Sequence, residues 1–416
     1  MIRTLLNSLA NWLKVALILT SDLINRVFDP YENFDRPEEP KYSELLYEKA
    51  AKFDVDMDYF FWDKHGIYRY KLPTDSGDQC IWHGIYTAMI ALKTSVTRND
   101  YSRLLKCLEG MESFIYPTGE NIPRLIRGWR EDGTYEDSVS NDQASGFLAG
   151  AYFGWKYGNA DCREQAKLLI TGLADELSIY NNCLINVDKT PTKHGRLENG
   201  YLTDPLNLTL CLAIYAVAYR ITGEPLYKVR YDELVKKYCP MIPYGNAKLW
   251  LTRFLVLEKT HHAHRAAIHY SILCDLEPNH DLNRLYLKGL LRIWMMERKS
   301  GNPWIYFLMR RVCLFDPSHI DACRKHLMEF TLEDKQYNAE KINSNHVKTF
   351  KWGKHIRARQ PLARWRVGSQ DFFWQRHLYS VDDWIGNQTG NVRHNGGDFL
   401  IAYWGLRSLR LLGATE

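Results

Sequence analysis

A start signal recurs along this chain at nearly constant spacing. It reads Ser76-Gly77-Asp78-Gln79, then Ser140-Asn141-Asp142-Gln143, then Leu202-Thr203-Asp204-Pro205, with the aspartates 64 and 62 residues apart. Each copy opens an apolar helical stretch that closes on a polar turn: Arg98-Asn99-Asp100, Gly158-Asn159-Ala160 and Thr222-Gly223-Glu224-Pro225. A second helical stretch follows each turn, and a related turn, Ser300-Gly301-Asn302-Pro303, recurs later. One helical hairpin cannot bury the apolar sides of both its helices, whereas hairpins stacked side by side can. A repeat of this kind therefore restricts the chain to a stacked helical array.

Apolar periodicity agrees. Ile81, Ile85, Met89, Leu92 and Val96 share one helical face, as do Leu104, Leu108, Met111 and Ile115, and Leu206, Leu210, Ile214, Val217 and Ile221. No sustained alternation calls for a large sheet. About a dozen helical stretches between Tyr42 and Leu412 make six hairpins, which predicts an all-α protein: a closed α/α toroid over residues 41–416. The rival architecture is an open solenoid of the tetratricopeptide kind, whose repeats are shorter, about 34 residues. In a closed ring the first helices of the hairpins point the same way and their N-termini meet at one rim.

Residues 1–40 read differently. Leu5 to Phe28 is apolar but interrupted by Lys14, Asp22, Asn25 and Arg26, with no small-residue cleavage site behind it. It is too short and too charged to span a bilayer. An amphipathic helix docked on the body or on a protein partner is expected, with an interfacial anchor as the alternative. Asp29 to Pro40, with Pro30, Pro37 and Pro40, reads as a linker. The expected location is cytoplasmic or virion-associated. Nine cysteines without a CxxC pair point to free thiols rather than a zinc site or a disulfide scaffold.

The candidate chemistry gathers at the predicted rim. Asp78 and Asp142 are the candidate catalytic residues, since carboxylates heading helices packed about 8 to 10 Å apart can work as an acid/base pair. Glycoside cleavage uses two carboxyl groups about 5 to 5.5 Å or about 6.5 to 9.5 Å apart. The same aspartates also suit capping: Ser76 with Gln79 and Ser140 with Gln143 fit capping boxes, and Asp204 before Pro205 fits an N-cap with proline at the first helical position. Candidate substrate-binding residues around them are Gln79, Trp82, His83, Arg124, Trp129, Arg130, Gln143, Asn199, Tyr201 and Asp204. Asp398 joins them at the head of the last helical stretch, in Gly396–Trp404, and the aromatic segment Ser369–His377, with Trp374 and Arg376, is taken up with the resemblance below. The 13 tryptophans and 26 tyrosines serve packing first and a cleft wall second.

Other classes find less support. His261, His262, His264 and His269 lack a HExxH pattern or a carboxylate at ligand spacing and read as a surface helix, so no metal is expected. There is no phosphate loop, dinucleotide fingerprint or Gly-x-Ser-x-Gly elbow, and no cofactor is expected. Lys and Arg exceed Asp and Glu only 54 to 49. The basic stretch from Lys341 to Gln370 contains no acid and is read as a solvated loop, a wall for an acidic glycan, or, as the weakest reading, a nucleic-acid surface.

The repeated S-x-D-Q helix starts, together with the aromatic and arginine segment Asp371-Phe372-Phe373-Trp374-Gln375-Arg376 ahead of a closing helix, resemble bacterial and phage-associated proteins of the six-hairpin glycosidase-like superfamily. The resemblance covers most of residues 41–416. It implies a polysaccharide-cleaving hydrolase or lyase with its site in the toroid mouth, near Asp78, Asp142 and the Trp374–Arg376 segment. Asp142 would be the general acid and Asp78 the base or water-positioning group. A lyase would instead draw on His83, Arg124, Arg130, Asn199 and Tyr201 for an acidic sugar. A non-catalytic glycan-binding or assembly protein on the same scaffold is the competing function.

Overall fold

The computed structural model describes residues 45–62, 66–69, 71–72, 77–119, 121–198, 204–245, 261–297, 302–312, 319–330, 349–352, 355–358, 393–394 and 396–414. The expected N-terminal helix and linker, residues 1–40, lie outside the described residues. Twelve α-helices are described: α1 (Leu46–Asp56), α2 (Gln79–Thr97), α3 (Tyr101–Ile115), α4 (Asn141–Tyr157), α5 (Ala160–Ile179), α6 (Pro205–Thr222), α7 (Pro225–Tyr238), α8 (His261–Leu276), α9 (His280–Glu297), α10 (Pro303–Arg310), α11 (Ile320–Glu329) and α12 (Gly397–Ser408).

The even-numbered helices form a closed inner ring: α2 packs on α4, α4 on α6, α6 on α8, α8 on α10, α10 on α12, and α12 returns to α2. The odd-numbered helices lie outside, each against its partner within a hairpin. The sixth hairpin joins the two ends of the described chain, α12 against α1. Closure is reinforced by a two-stranded ribbon in which β1 (Lys71–Leu72) pairs antiparallel with β8 (Arg393–His394). The predicted toroid of six hairpins is thus the observed architecture.

Inner and outer helices differ as their positions require. In α2 every residue from Gln79 to Leu92 is buried, because this helix meets neighbours on both flanks and an outer helix behind. A helix apolar all round belongs in a core. Helix α6 is likewise long and apolar enough to cross a membrane, yet 67% of its apolar window is buried inside the protein. The outer helices keep one polar face; α7 buries only Tyr227, Tyr231, Leu234 and Tyr238. Helix α8 is an inner helix as well, which corrects the expectation that the histidine cluster marks a surface helix: His264 and His269 are fully buried.

Helices α2 and α4 approach most intimately, backbone to backbone. A Cβ on Gly84 would lie 2.2 Å from the Gly146 carbonyl oxygen, and one on Gly146 would lie 2.3 Å from that of Ile81. Only glycine permits that approach.

Local chemistry sets the helix ends. The Asn159 side chain accepts from the Cys162 amide at 3.1 Å, and the Asp204 carboxylate accepts from Leu206 at 3.1 Å ahead of Pro205. Helix α6 stops at Gly223, whose φ of 74° places it in the left-handed region. Asn302-Pro303 differs from the other three turn signals. Asn302 caps the inner helix α10, accepting from Trp304 at 3.1 Å, so it opens a hairpin rather than lying within one.

The return loops carry short ribbons: β2 (Gly128–Trp129) with β3 (Tyr135–Glu136), β4 (Cys183–Ile185) with β5 (Pro191–Arg196), and β6 (Thr349–Trp352) with β7 (His355–Ala358). The first two loops are tied together by Glu176 of α5, which is fully buried. Its carboxyl accepts from the Leu125 amide at 2.9 Å and the Ile185 amide at 3.1 Å. Burial raises its pKa from 4.5 to about 8 despite those amides. A carboxyl whose folded value is raised stabilises the fold below its unfolded value and loses that contribution as pH climbs through the folded value. The melting temperature is therefore expected to fall between about pH 4.5 and pH 8, and Glu176→Gln to flatten the fall. Equal slopes in both proteins by differential scanning calorimetry would contradict this. Among the described residues, eight cysteines are present and none is joined to another in a disulfide.

Candidate functional site at the inner-helix rim

The heads of α2, α4, α6 and α8 are joined by one polar network. Asp78 stands at the N-cap of α2, with 28% of its side chain exposed. Its Oδ1 accepts from the Arg127 guanidinium and, at 2.9 Å, from Nε2 of Gln143 on α4. Arg127 also donates from Nε to the Gly77 carbonyl at 2.8 Å and faces Glu136 at 3.6 Å. Gln143 closes the predicted capping box, its Oε1 accepting from the Ser140 amide at 2.8 Å. The same side chain therefore fixes the start of α4 and holds Asp78.

One residue before Gln143, Asp142 has 24% of its side chain exposed and is ion-paired with Arg265, which reaches it from α8 with only 1% exposed. Arg265 also donates to Oδ1 of Asn141 at 2.8 Å, and Asn141 donates to Asn207 of α6 at 2.5 Å. One turn below Arg265, His269 places its ring nitrogens 3.0 Å from Ser145 Oγ and 3.1 Å from Thr209 Oγ1. Burial, aided by the Arg265 charge, pushes the His269 pKa well below 6.5, so the imidazole is neutral. The buried layer fastens three inner helices; the carboxylates above it face water.

The remaining predicted residues divide by depth. Gln79 is the first residue of α2, and its Oε1 accepts from the Trp129 amide at 2.7 Å; Ser76, its expected capping partner, lies outside the described residues. Trp129 is half-buried, its indole donating to Ser113 Oγ at 3.1 Å and its ring meeting Tyr135 edge-on, while Arg130 is exposed at the end of that ribbon. Asp204 sits at the α6 head as a cap.

Trp82 and His83 belong to the interior. Trp82 stacks on Tyr86, and His83 accepts at Nδ1 from the Tyr68 amide at 3.0 Å. That bond makes Nε2 the protonated nitrogen of a neutral ring, donating to the Cys107 carbonyl at 2.9 Å. Arg124 is buried and committed to Asp137 at 3.0 Å and the Tyr135 hydroxyl at 2.9 Å. Asp398 is buried in the first turn of α12. Asn199, Tyr201, Trp374 and Arg376 lie outside the described residues, and of the basic stretch 341–370 only the backbone of β6 and β7 is described. Among the described residues no three His, Cys, Asp or Glu side chains converge as a metal site.

Sequence reasoning missed Arg265 and Asn141 as members of this network. A signal for Arg265 did exist: it is an arginine flanked by Ala263, Ala266, Ala267 and Ile268, a run otherwise suited to a core helix.

No protein-family model matches the chain, and no curated protein is similar to it in sequence. Among solved structures, the chain is similar to the glycoside hydrolase family 76 mannosidase Bt3792 from Bacteroides thetaiotaomicron VPI-5482, at 11% identity and a TM-score of 0.49 over 88% of this chain and 98% of that one. It is also similar to the cellobiose 2-epimerase from Spirochaeta thermophila DSM 6192, at 10% identity and a TM-score of 0.46 over 88% of this chain and 97% of that one. A sugar epimerase from a ruminal bacterium gives 11% identity and a TM-score of 0.45 over 70% of this chain and 88% of that one. The closed ring rests on the helix contacts of this chain itself.

Proposed function

We propose that this chain is a carbohydrate-active enzyme that cleaves a glycosidic bond of a polysaccharide at the inner-helix rim, with Asp78 and Asp142 as its acid/base pair. The observation that carries the reading is the Gln143–Asp78 hydrogen bond, 2.9 Å long, which couples the head of α4, where Asp142 resides, to that of α2. Both carboxylates are about a quarter exposed and stand in the opening turns of neighbouring inner helices, which supports the pairing. Paired carboxyl groups are what glycoside cleavage requires, one to protonate the leaving oxygen and one to activate water or attack the sugar. Trp129, half-buried beside Gln79, offers an aromatic face of the kind that sugar rings stack on.

Hydrolysis is favoured over elimination. A lyase would need a free base and groups that neutralise a uronate, and His83 and Arg124 are both committed to internal hydrogen bonds. The competing reading, a glycan-binding or assembly protein without turnover, draws its support from the same ion pairs. Each carboxylate already has an arginine partner, as a purely structural network would have.

Reducing-end release from a panel of neutral and acidic polysaccharides separates the two. The enzyme reading predicts turnover by the wild type and a loss of about 100-fold or more in Asp78→Asn, the scale on which acid/base groups contribute. Binding without turnover in the wild type would leave the scaffold reading standing and remove the enzymatic one.

A further inference from the structure

Glu176 lies in the last turn of outer helix α5, and both its oxygens are spent on rim loops. Oε2 accepts from Leu125, and Oε1 accepts from Ile185. Two residues beyond Leu125, Arg127 grips Asp78, and its backbone is held in turn: its amide donates to the Glu136 carbonyl at 2.9 Å and its carbonyl accepts from the Cys80 amide at 3.1 Å. A second tie runs parallel to the first, since Asp137 pairs with Arg124 at 3.0 Å while its other oxygen accepts from the Val187 amide at 2.7 Å. Asn186 adds a third, accepting from the Ser138 amide at 3.2 Å. The return loops of the first two hairpins are thereby joined into one unit, and Glu176 reaches both of them from a helix.

We infer that Glu176 is a positioning residue: it locks the two return loops together and so holds the Arg127 guanidinium on Asp78. The assignment rests on the reading that Asp78 works at the rim, and on geometry that is independent of it. A buried carboxyl without a task is costly to keep, because burial disfavours its charge and its oxygens need partners. Here it serves two backbone amides from separate loops, which an apolar residue at this position would leave unsatisfied. The charged and titratable groups facing it are Arg124 and Asp137 from the first loop and Cys80 from α2. Of these, the Cys80 thiol is raised well above its ordinary value by burial, so it does not titrate near neutrality.

Amide hydrogen exchange on the full chain tests this without any substrate. In Glu176→Gln one of the two amides loses its acceptor. The Leu125, Arg127 and Cys80 amides are then expected to exchange at least about 10-fold faster, while Met89 and Leu92 within α2 keep their wild-type protection. A carboxyl with a merely structural role would raise exchange uniformly across both sets, or leave both unchanged, and either outcome overturns the assignment. Should Glu176→Gln fail to fold, the wild type supplies the same answer. The Arg127 13Cζ resonance, assigned by its loss in Arg127→Lys, is expected to shift with a midpoint near pH 8 as Glu176 ionises, and a flat trace from pH 6 to 9.5 would contradict the coupling. Loop exchange that responds in a protein with no glycan turnover would leave the latch standing and remove the functional reading instead.

Discussion

Replacing Gly84 with valine is expected to abolish or cripple folding, the largest effect of any single substitution considered. Even the first added carbon would lie 2.2 Å from the Gly146 carbonyl oxygen, 2.4 Å from its carbon and 2.7 Å from the Phe147 nitrogen. These are backbone atoms of α4 and cannot rotate aside as a side chain would. To relieve the clash α2 and α4 must separate, and the seam that separates is part of a closed ring, so strain passes to the contacts of α2 with α12 and of α4 with α6. Overpacking against movable side chains costs about 1 to 3 kcal/mol. Against backbone on this seam about 4 kcal/mol or more is expected, a large part of the roughly 5 to 15 kcal/mol that holds a typical domain folded. Gly133 provides the control. A Cβ there meets nothing within 4 Å, so Gly133→Ala bears only the strain of its φ of 83°, about 1 kcal/mol. Thermal melts that rank the two substitutions in the opposite order would refute the close-packed seam.

The second large effect concerns Asp142, where function and stability are entangled. Arg265 is 1% exposed and holds both Asp142 and Asn141. Asp142→Asn takes an anionic partner from that buried guanidinium. Breaking a buried pair costs about 3 to 5 kcal/mol; since Asp142 is a quarter exposed and Asn141 remains, about 2 kcal/mol is expected. Asp78→Asn should be milder, because Arg127 keeps the Gly77 carbonyl and Glu136 and is itself 26% exposed. Activity is expected to fall at least about 100-fold in both variants. The double variant Asp142→Asn/Arg265→Met separates the two effects: by removing the buried charge as well it should recover most of the lost stability and none of the activity. If turnover returned along with the melting temperature, Asp142 would be a structural partner of Arg265 and nothing more.

The first half of the ring was legible because its signals are local. Asp78, Asp142 and Asp204 do head inner helices, and the turns at Asn99, Asn159 and Gly223 do close hairpins, each determined by capping or by backbone conformation within a few residues. The sixth hairpin, α12 with α1, has no local mark, since it joins segments from opposite ends of the chain. Distance along the chain likewise hid the Arg265–Asn141 contact, whose residues are 124 apart. His83 misled for a related reason. Its spacing places it one turn into α2, near the rim, but an inner helix is buried on every side, and depth in a ring is set by neighbours that periodicity does not show. The histidines of α8 were misplaced in the same way, because a helix rich in His and Arg looks solvent-facing until its neighbours supply hydroxyl partners such as Ser145 and Thr209.

The most direct measurement of the central claim is a crystal structure of the Asp78→Asn protein with an oligosaccharide of the polysaccharide it binds. The account predicts a sugar ring at the inner-helix rim, its glycosidic oxygen within about 3 Å of the Asp142 carboxylate, and position 78 facing the same ring. An oligosaccharide bound elsewhere, or one that meets neither position 78 nor Asp142, would contradict it.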